Sequence, residues 1–150
     1  MAKQSRERGK SVAVFEHGDT EYTVDVDAEL HIDRGDIQKC FVDQPGKYAW
    51  YATIYAAALT NVDRCKLELE VTKSRVASGM RSSVDSKGKV PSEATIDKLL
   101  PGDEEVIAAE EKLISAKHQE GVLRAVKEAF QHRRDMLIQL GYDLRLEQRT

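Results

Sequence analysis

Residues 47–78 contain neither proline nor glycine, and apolar side chains recur there every seven positions, at Tyr48, Tyr55, Val62, Leu69 and Val76. Tyr51, Ala58, Cys65 and Thr72 fill the companion positions. This is the seam pattern of paired helices, with small companions that permit close approach. A second stretch repeats it: Ala109, Ala116, Leu123, Phe130 and Leu137 lie seven apart, with Val122, Ala129 and Met136 beside them. Asp103 suits the cap of this second helix, and Glu104 and Glu105 complement its dipole. Gly79 and Gly141 are the expected stops. At 1.5 Å per residue the two helices would be about 48 and about 57 Å long. Their similar length, with about two dozen residues joining them, predicts an antiparallel helical hairpin.

The rest of the chain is shorter-ranged. Residues 11–27 alternate: Val12 and Val14 face one way, and Tyr22, Val24 and Val26 repeat with Thr23, Asp25 and Asp27 between them. Gly18-Asp19 stands between the two runs, so a β-hairpin is expected, packed on something larger. Residues 35–42 suit a short helix, 82–91 a loop, and 93–100 a short helix capped by Ser92 and broken at Pro101-Gly102. The three prolines, Pro45, Pro91 and Pro101, read as boundaries. The expected organisation is a disordered basic tail over 1–10, a β-hairpin or extended segment with a short helix over 11–44, and a helical hairpin domain over 45–150. The fold class is mainly α. Trp50, Ile54, Leu67, Ile107, Ile114 and Ile138 lie off the main seams. Either several copies pack together, with Trp50, Ile54 and Leu67 at the contact, or the N-terminal segment folds back to cover these residues.

Composition narrows the class. A chain of 150 residues with 41% hydrophobic and 33% charged residues suits one domain with much exposed surface. Its formal charge of −3 means that any affinity for a polyanion must come from a local patch. Cys40 and Cys65 stand alone, without a CxxC pair, as in a reducing compartment. No secretory signal follows the basic start, and the longest apolar-rich run, 49–59, is too short to span a bilayer. A cytoplasmic, membrane-free location is expected.

Catalytic patterns are missing. There is no GxSxG, Walker A or HExxH motif. His17, His31, His118 and His132 are scattered and lack zinc-ligand spacing. The acids Asp25, Asp27, Glu29, Asp33 and Asp36 invite a calcium loop, but Leu30 stands where such a loop needs glycine, and Asp36 where it needs glutamate. They read as a solvated acidic face. The expectation is a non-enzyme with no cofactor and no metal.

One stretch departs from the average charge. Between Val71 and Pro91, Lys73, Arg75, Arg81, Lys87 and Lys89 face a single acid, Asp85, a local +4; Arg64 and Lys66 extend it. It falls at one tip of the expected hairpin, and copies assembled in parallel would gather these charges into a ring. Phosphate attraction grows with the number of charges neutralised. No aromatic residue lies between Tyr55 and Phe130, so backbone binding fits better than base stacking or sequence readout. A solvated loop of ordinary basic residues is the competing account.

In order, the chain runs from an acidic lead through YAWYATIYAAAL and Lys73-Ser74-Arg75 to a polar loop, then PSEATIDKLLPGDEEV, and ends in FQHRRDMLIQLG. Over about residues 25–145 this arrangement resembles the UvsY-type recombination mediators of phages. The resemblance implies sequence-independent binding of single-stranded DNA and ring-like homo-oligomers of helical subunits. It also implies help to a RecA-like recombinase in replacing the single-strand-binding protein, in the host-cell cytoplasm. The family's Lys-x-Arg step is matched by Lys73 and Arg75, and a following basic residue by Arg81. The family's tyrosine pair between them is replaced by Ala77 and Ser78. Two other readings stand beside it: a structural or scaffolding coiled coil without nucleic-acid binding, and a small regulator or anti-defence protein that docks on a host enzyme.

Overall fold

The computed structural model describes residues 9–149. Its elements are β1 (Val12–His17), β2 (Thr20–Asp25), α1 (Val26–Leu30), α2 (Ile37–Ser82), α3 (Glu93–Leu99), a 3-10 turn (Leu100–Gly102) and α4 (Glu104–Glu147). The chain is mainly helical, and the long pair α2 and α4 packs together. Most of the basic tail expected over 1–10 lies outside the described residues. Contacts divide the chain into two units. One holds the chain up to Ala57 together with Gly121 onward; the other is Ala58–Glu120.

The first unit is built around an aromatic cluster. β1 and β2 pair antiparallel, with Phe15 opposite Tyr22 and Ala13 opposite Val24. Gly18 carries the turn at φ 62°, a region that favours glycine. Ala13 and Phe15 are buried, whereas Val12 and Val14 face solvent. The valines therefore share a face as expected, and the alanine and phenylalanine between them form the packed one. Phe15 stacks on Tyr22 at 5.5 Å, and both rings meet Trp50, at 6.0 and 5.6 Å. Tyr51 joins Trp50 at 4.8 Å and stacks on Phe130 at 4.8 Å. Tyr51 is 3% exposed, and burial pushes its hydroxyl up to about 12, with the Glu29 charge adding to the effect. The N-terminal hairpin thus lies against part of the off-seam surface.

The acidic lead is spent on local structure. Asp25 caps α1 by accepting from the Ala28 amide at 3.1 Å. Asp27 accepts from the Ser11 amide, and Asp33 from the Gly35 amide. Asp36 accepts from the Lys39 amide at 3.1 Å and so caps α2. Glu29 pairs with Lys47 at 3.1 Å. Because Asp36 starts the helix, the short helix expected over 35–42 is the first part of α2, and Pro45 lies inside α2 and marks no boundary.

The same unit buries two polar side chains. Arg133 is 5% exposed and Gln44 is 6% exposed. The Arg133 guanidinium donates to Gln44 Oε1 at 2.5 Å, to the Leu30 carbonyl at 3.2 Å and to the His31 carbonyl at 3.1 Å. Gln44 in turn donates to the Phe130 carbonyl at 2.6 Å. The end of α1, the start of α2 and the last third of α4 are fastened by this one network.

In the second unit, Val62, Cys65 and Ala116 form one buried cluster, and Leu69, Val106 and Ala109 another, with Leu113 touching both. These are the expected seam positions or their neighbours. Small residues at Cys65, Ala109 and Ala116 permit the close helix approach the spacing called for. Two ion pairs bridge α2 and α4 along one flank, Glu68–Lys112 and Arg75–Glu105, a heptad apart on each helix. Asp103 caps α4 through the Glu105 and Val106 amides. Ser92 caps α3 through the Thr95 amide. The expected stops shift outward: α2 passes Gly79 to Ser82, and α4 passes Gly141 to Glu147. Isolated glycines inside a packed helix cost about 1 kcal/mol, too little to end it.

Candidate nucleic-acid interface

The five basic residues singled out by the sequence all lie in the second unit. α2 carries Lys73, Arg75 and Arg81, and the following loop carries Lys87 and Lys89. Lys73 and Arg75 are two residues apart on a helix, so they point about 200° apart. Lys73 turns toward Glu70, at 3.3 Å, while Arg75 turns to Glu105 on α4. The Lys-Ser-Arg step is not a single basic strip.

Arg81 makes the most specific contact. Its Nε and Nη2 reach the two carboxylate oxygens of Glu93 at 2.8 and 2.9 Å, a fork-to-fork pair. The hydrogen bond from Arg81 holds the Glu93 carboxyl below its ordinary range, and the bond to Glu93 raises Arg81. Glu105 raises Arg75 in the same way. Both pairs are open to water: the side chains of Arg75 and Glu105 are 62% and 56% exposed, and those of Arg81 and Glu93 are 49% and 66% exposed.

The loop after α2 folds around Asp85. Asp85 Oδ1 accepts from the Lys87 amide at 2.9 Å and the Lys89 amide at 2.8 Å. The Asp85 amide donates to the Lys89 carbonyl at 3.0 Å, and Gly88 closes the turn at φ 76°. The single acid of the basic stretch therefore folds the turn through its carboxylate. Lys87 and Lys89 are exposed, and among the described residues no ion pair holds either ammonium.

Sequence reasoning counted the basic stretch and missed what faces it. Over 93–111 the chain carries Glu93, Asp97, Asp103, Glu104, Glu105, Glu110 and Glu111 against one base, Lys98. Across 58–120, ten Lys and Arg meet twelve Asp and Glu, a formal −2. The signal was present: Glu68 and Arg75 on one helix, and Glu105 and Lys112 on the other, are each seven apart and opposite in sign. Antiparallel pairing makes them meet.

The expected contact residues Trp50, Ile54 and Leu67 have different surroundings. Ile54 is 1% exposed and belongs to the core of the first unit. Trp50 is 41% exposed with one side on the aromatic cluster, and Leu67, in the second unit, is 66% exposed. The first unit also carries an apolar groove of about 400 Å³, lined by Phe41, Pro45, Tyr48, Phe130 and Ile138, with Gln44, Gln131 and Arg134. Among the described residues no group of three or more His, Cys, Asp or Glu is placed to hold a metal ion, and no helix is long and apolar enough to cross a membrane. No family model, no curated protein and no solved structure matches the chain.

Proposed function

We propose that this chain is an oligomeric, sequence-independent single-stranded DNA-binding protein that acts as a recombination mediator, helping a RecA-like recombinase displace the single-strand-binding protein. The observation that carries the reading is the end of α2 and its loop. Lys87 and Lys89 project unpaired from a hydrogen-bonded turn, and Arg81 lies at the surface of the last turn of the preceding helix. The preformed turn keeps both lysines at the surface and spares the backbone ordering cost of presenting them, leaving only the side chains to order on contact. Exposed cations on a polar, serine-rich segment suit phosphate contact, and the lack of aromatic residues there suits indifference to sequence. Arg75 and Lys73, on opposite flanks of α2, would meet separate segments of a strand, which fits a backbone wrapped over more than one copy.

Fluorescence anisotropy of a labelled single-stranded oligonucleotide, repeated from low to moderate salt, tests this. Binding with a steep salt slope is expected. Lys87→Ala with Lys89→Ala should weaken it and reduce the slope by about 1.4, two contacts' worth on a single strand. No binding at low salt defeats the proposal.

A second reading has its own support. Arg75 and Arg81 already hold carboxylates, and the unit that carries them is formally −2. This favours a scaffolding coiled coil without nucleic-acid binding, and the same titration separates the two.

A further inference from the structure

Three of the five predicted contact cations meet carboxylates of the same chain. Lys73 meets Glu70 one turn back on its own helix, whereas Arg75 and Arg81 are held by acids from other helices, and the way those two acids are held sets a condition on binding. We infer that Glu93 and Glu105 form an intramolecular anionic gate over Arg81 and Arg75, which a polyanion must displace before the arginines can contact phosphate. The inference rests on the DNA-binding reading above and specifies how that site is regulated.

Both gate residues sit in the first turn of a helix. Ser92 caps α3, so Glu93 follows the cap directly; Asp103 caps α4, so Glu105 is two residues past it. A carboxylate there interacts favourably with the helix terminus whether or not an arginine holds it. Each is more than half exposed, so water replaces the arginine when it leaves. Opening the gate therefore strands no buried charge, and solvent-exposed pairs contribute little net free energy. The geometry around Arg81 resembles what a phosphate would offer. Glu93 presents two oxygens to Nε and Nη2, the same fork that receives two phosphate oxygens. A ligand that offers one isolated anion replaces like with like and gains nothing. A strand with closely spaced phosphates, already recruited by Lys87 and Lys89, offers a high local concentration of competitors. The gate makes the arginines a threshold response to charge density, and the lysine turn the first contact.

Conventional reasoning predicts that mutating residues paired to a DNA-contacting arginine weakens binding by disordering it. The gate predicts the reverse. Oligothymidylate binding is measured by anisotropy between 50 and 200 mM salt for wild type, for Glu93→Gln with Glu105→Gln, and for a charge-matched control, Glu104→Gln with Glu110→Gln. Neither control residue has an ion pair among the described residues. Once the gate has opened the arginines meet the same phosphates, so the gate variant should keep the wild-type salt slope and bind about two- to thirtyfold more tightly, the worth of two solvent-exposed pairs. The control gains less and keeps the wild-type slope. Adding Arg75→Ala and Arg81→Ala to the gate variant should cancel its gain, and circular dichroism confirms that each variant keeps its helices. Binding by the gate variant at a higher salt concentration at which wild type, having bound at low salt, no longer binds supports the gate in its strongest form. If wild type binds and the gate variant matches it or the control, or if the gain survives loss of the arginines, the gate is wrong and the DNA-binding reading stands. If no variant binds at low salt, the DNA-binding reading itself fails.

Discussion

Arg133 is a charge placed where a hydrophobic residue would be expected. Its neighbours three and four residues away, Phe130 and Leu137, are fully buried seam residues, and position 133 faces the same way. The guanidinium is tolerated because three oxygens receive it: Gln44 Oε1 and the carbonyls of Leu30 and His31. Those carbonyls lie at the end of α1, where the exposed lone pairs of a helix terminus attract a cation. Truncating Gln44 to Leu leaves the charge short of an acceptor in a dry site. Hydrogen bonds to charged groups contribute about 1.5–3 kcal/mol. The expected loss is of that size, read as a lower urea midpoint with an unchanged slope. Arg133→Met removes the charge but leaves two carbonyls without their donor, and should cost a similar amount. A neutral result for both would mean that water serves these carbonyls equally well. From sequence alone, His132, Arg133 and Arg134 look like one basic run; only the partner carbonyls, about a hundred residues away, separate the buried member from the exposed ones.

At the scale of the elements, α2 contradicts its own sequence once, at Pro45. Proline has no amide hydrogen, so the Phe41 carbonyl lacks its helical donor, and the ring crowds that turn. Pro45 is the ninth residue of α2, beyond the first turn where proline is accepted, and Gly46 follows it. A Cβ added at Gly46 meets nothing within 4 Å. Pro45→Ala with Gly46→Ala should therefore stabilise the chain by about 2–4 kcal/mol from propensity alone, seen as a higher thermal midpoint. A drop instead would show that the groove residues Phe41 and Tyr48 depend on the proline ring that lines the groove with them. The helix passes through because Asp36 caps it upstream and because Gln44, Tyr51 and Ile54 are anchored on both sides of the break. Tertiary packing overrides a local breaker. The same physics explains what was legible. The heptads marked both long helices, because a repeat sustained over four heptads, about eight helical turns, survives local exceptions. Gly18-Asp19, Ser92 and Asp103 marked their turns and caps, because that chemistry is local. The helix ends and the Arg75–Glu105 and Arg81–Glu93 pairs were hidden, because each depends on which residues the fold brings opposite one another.

For the whole molecule, the surface left open bears on assembly. In the second unit Leu67 and Val71, one turn apart on α2, are 66% and 58% exposed, and Ile107 and Ile114, a heptad apart on α4, are 40% and 66% exposed. Burying one such side chain fully is worth about 1.5–3 kcal/mol. Placed in water at helical spacing, they suit the flank of another helix. Ile54, expected at the same contact, is unavailable because its own unit has used it. The mediator reading needs more than one copy: two free lysines on one turn give a shallow salt slope, and several turns give a steep one. Sedimentation analysis should then show an oligomer that persists on dilution to low micromolar concentration. Leu67→Glu with Ile114→Glu should dissociate it while circular dichroism stays helical, since neither side chain is in the core. Loss of the oligomer should lower affinity for single-stranded DNA and flatten its salt slope together, because both depend on how many turns reach one strand. An oligomer that resists both charges moves the contact to another face. A wild-type chain that sediments as a monomer at every concentration removes the ring from the proposal and leaves each turn to bind alone.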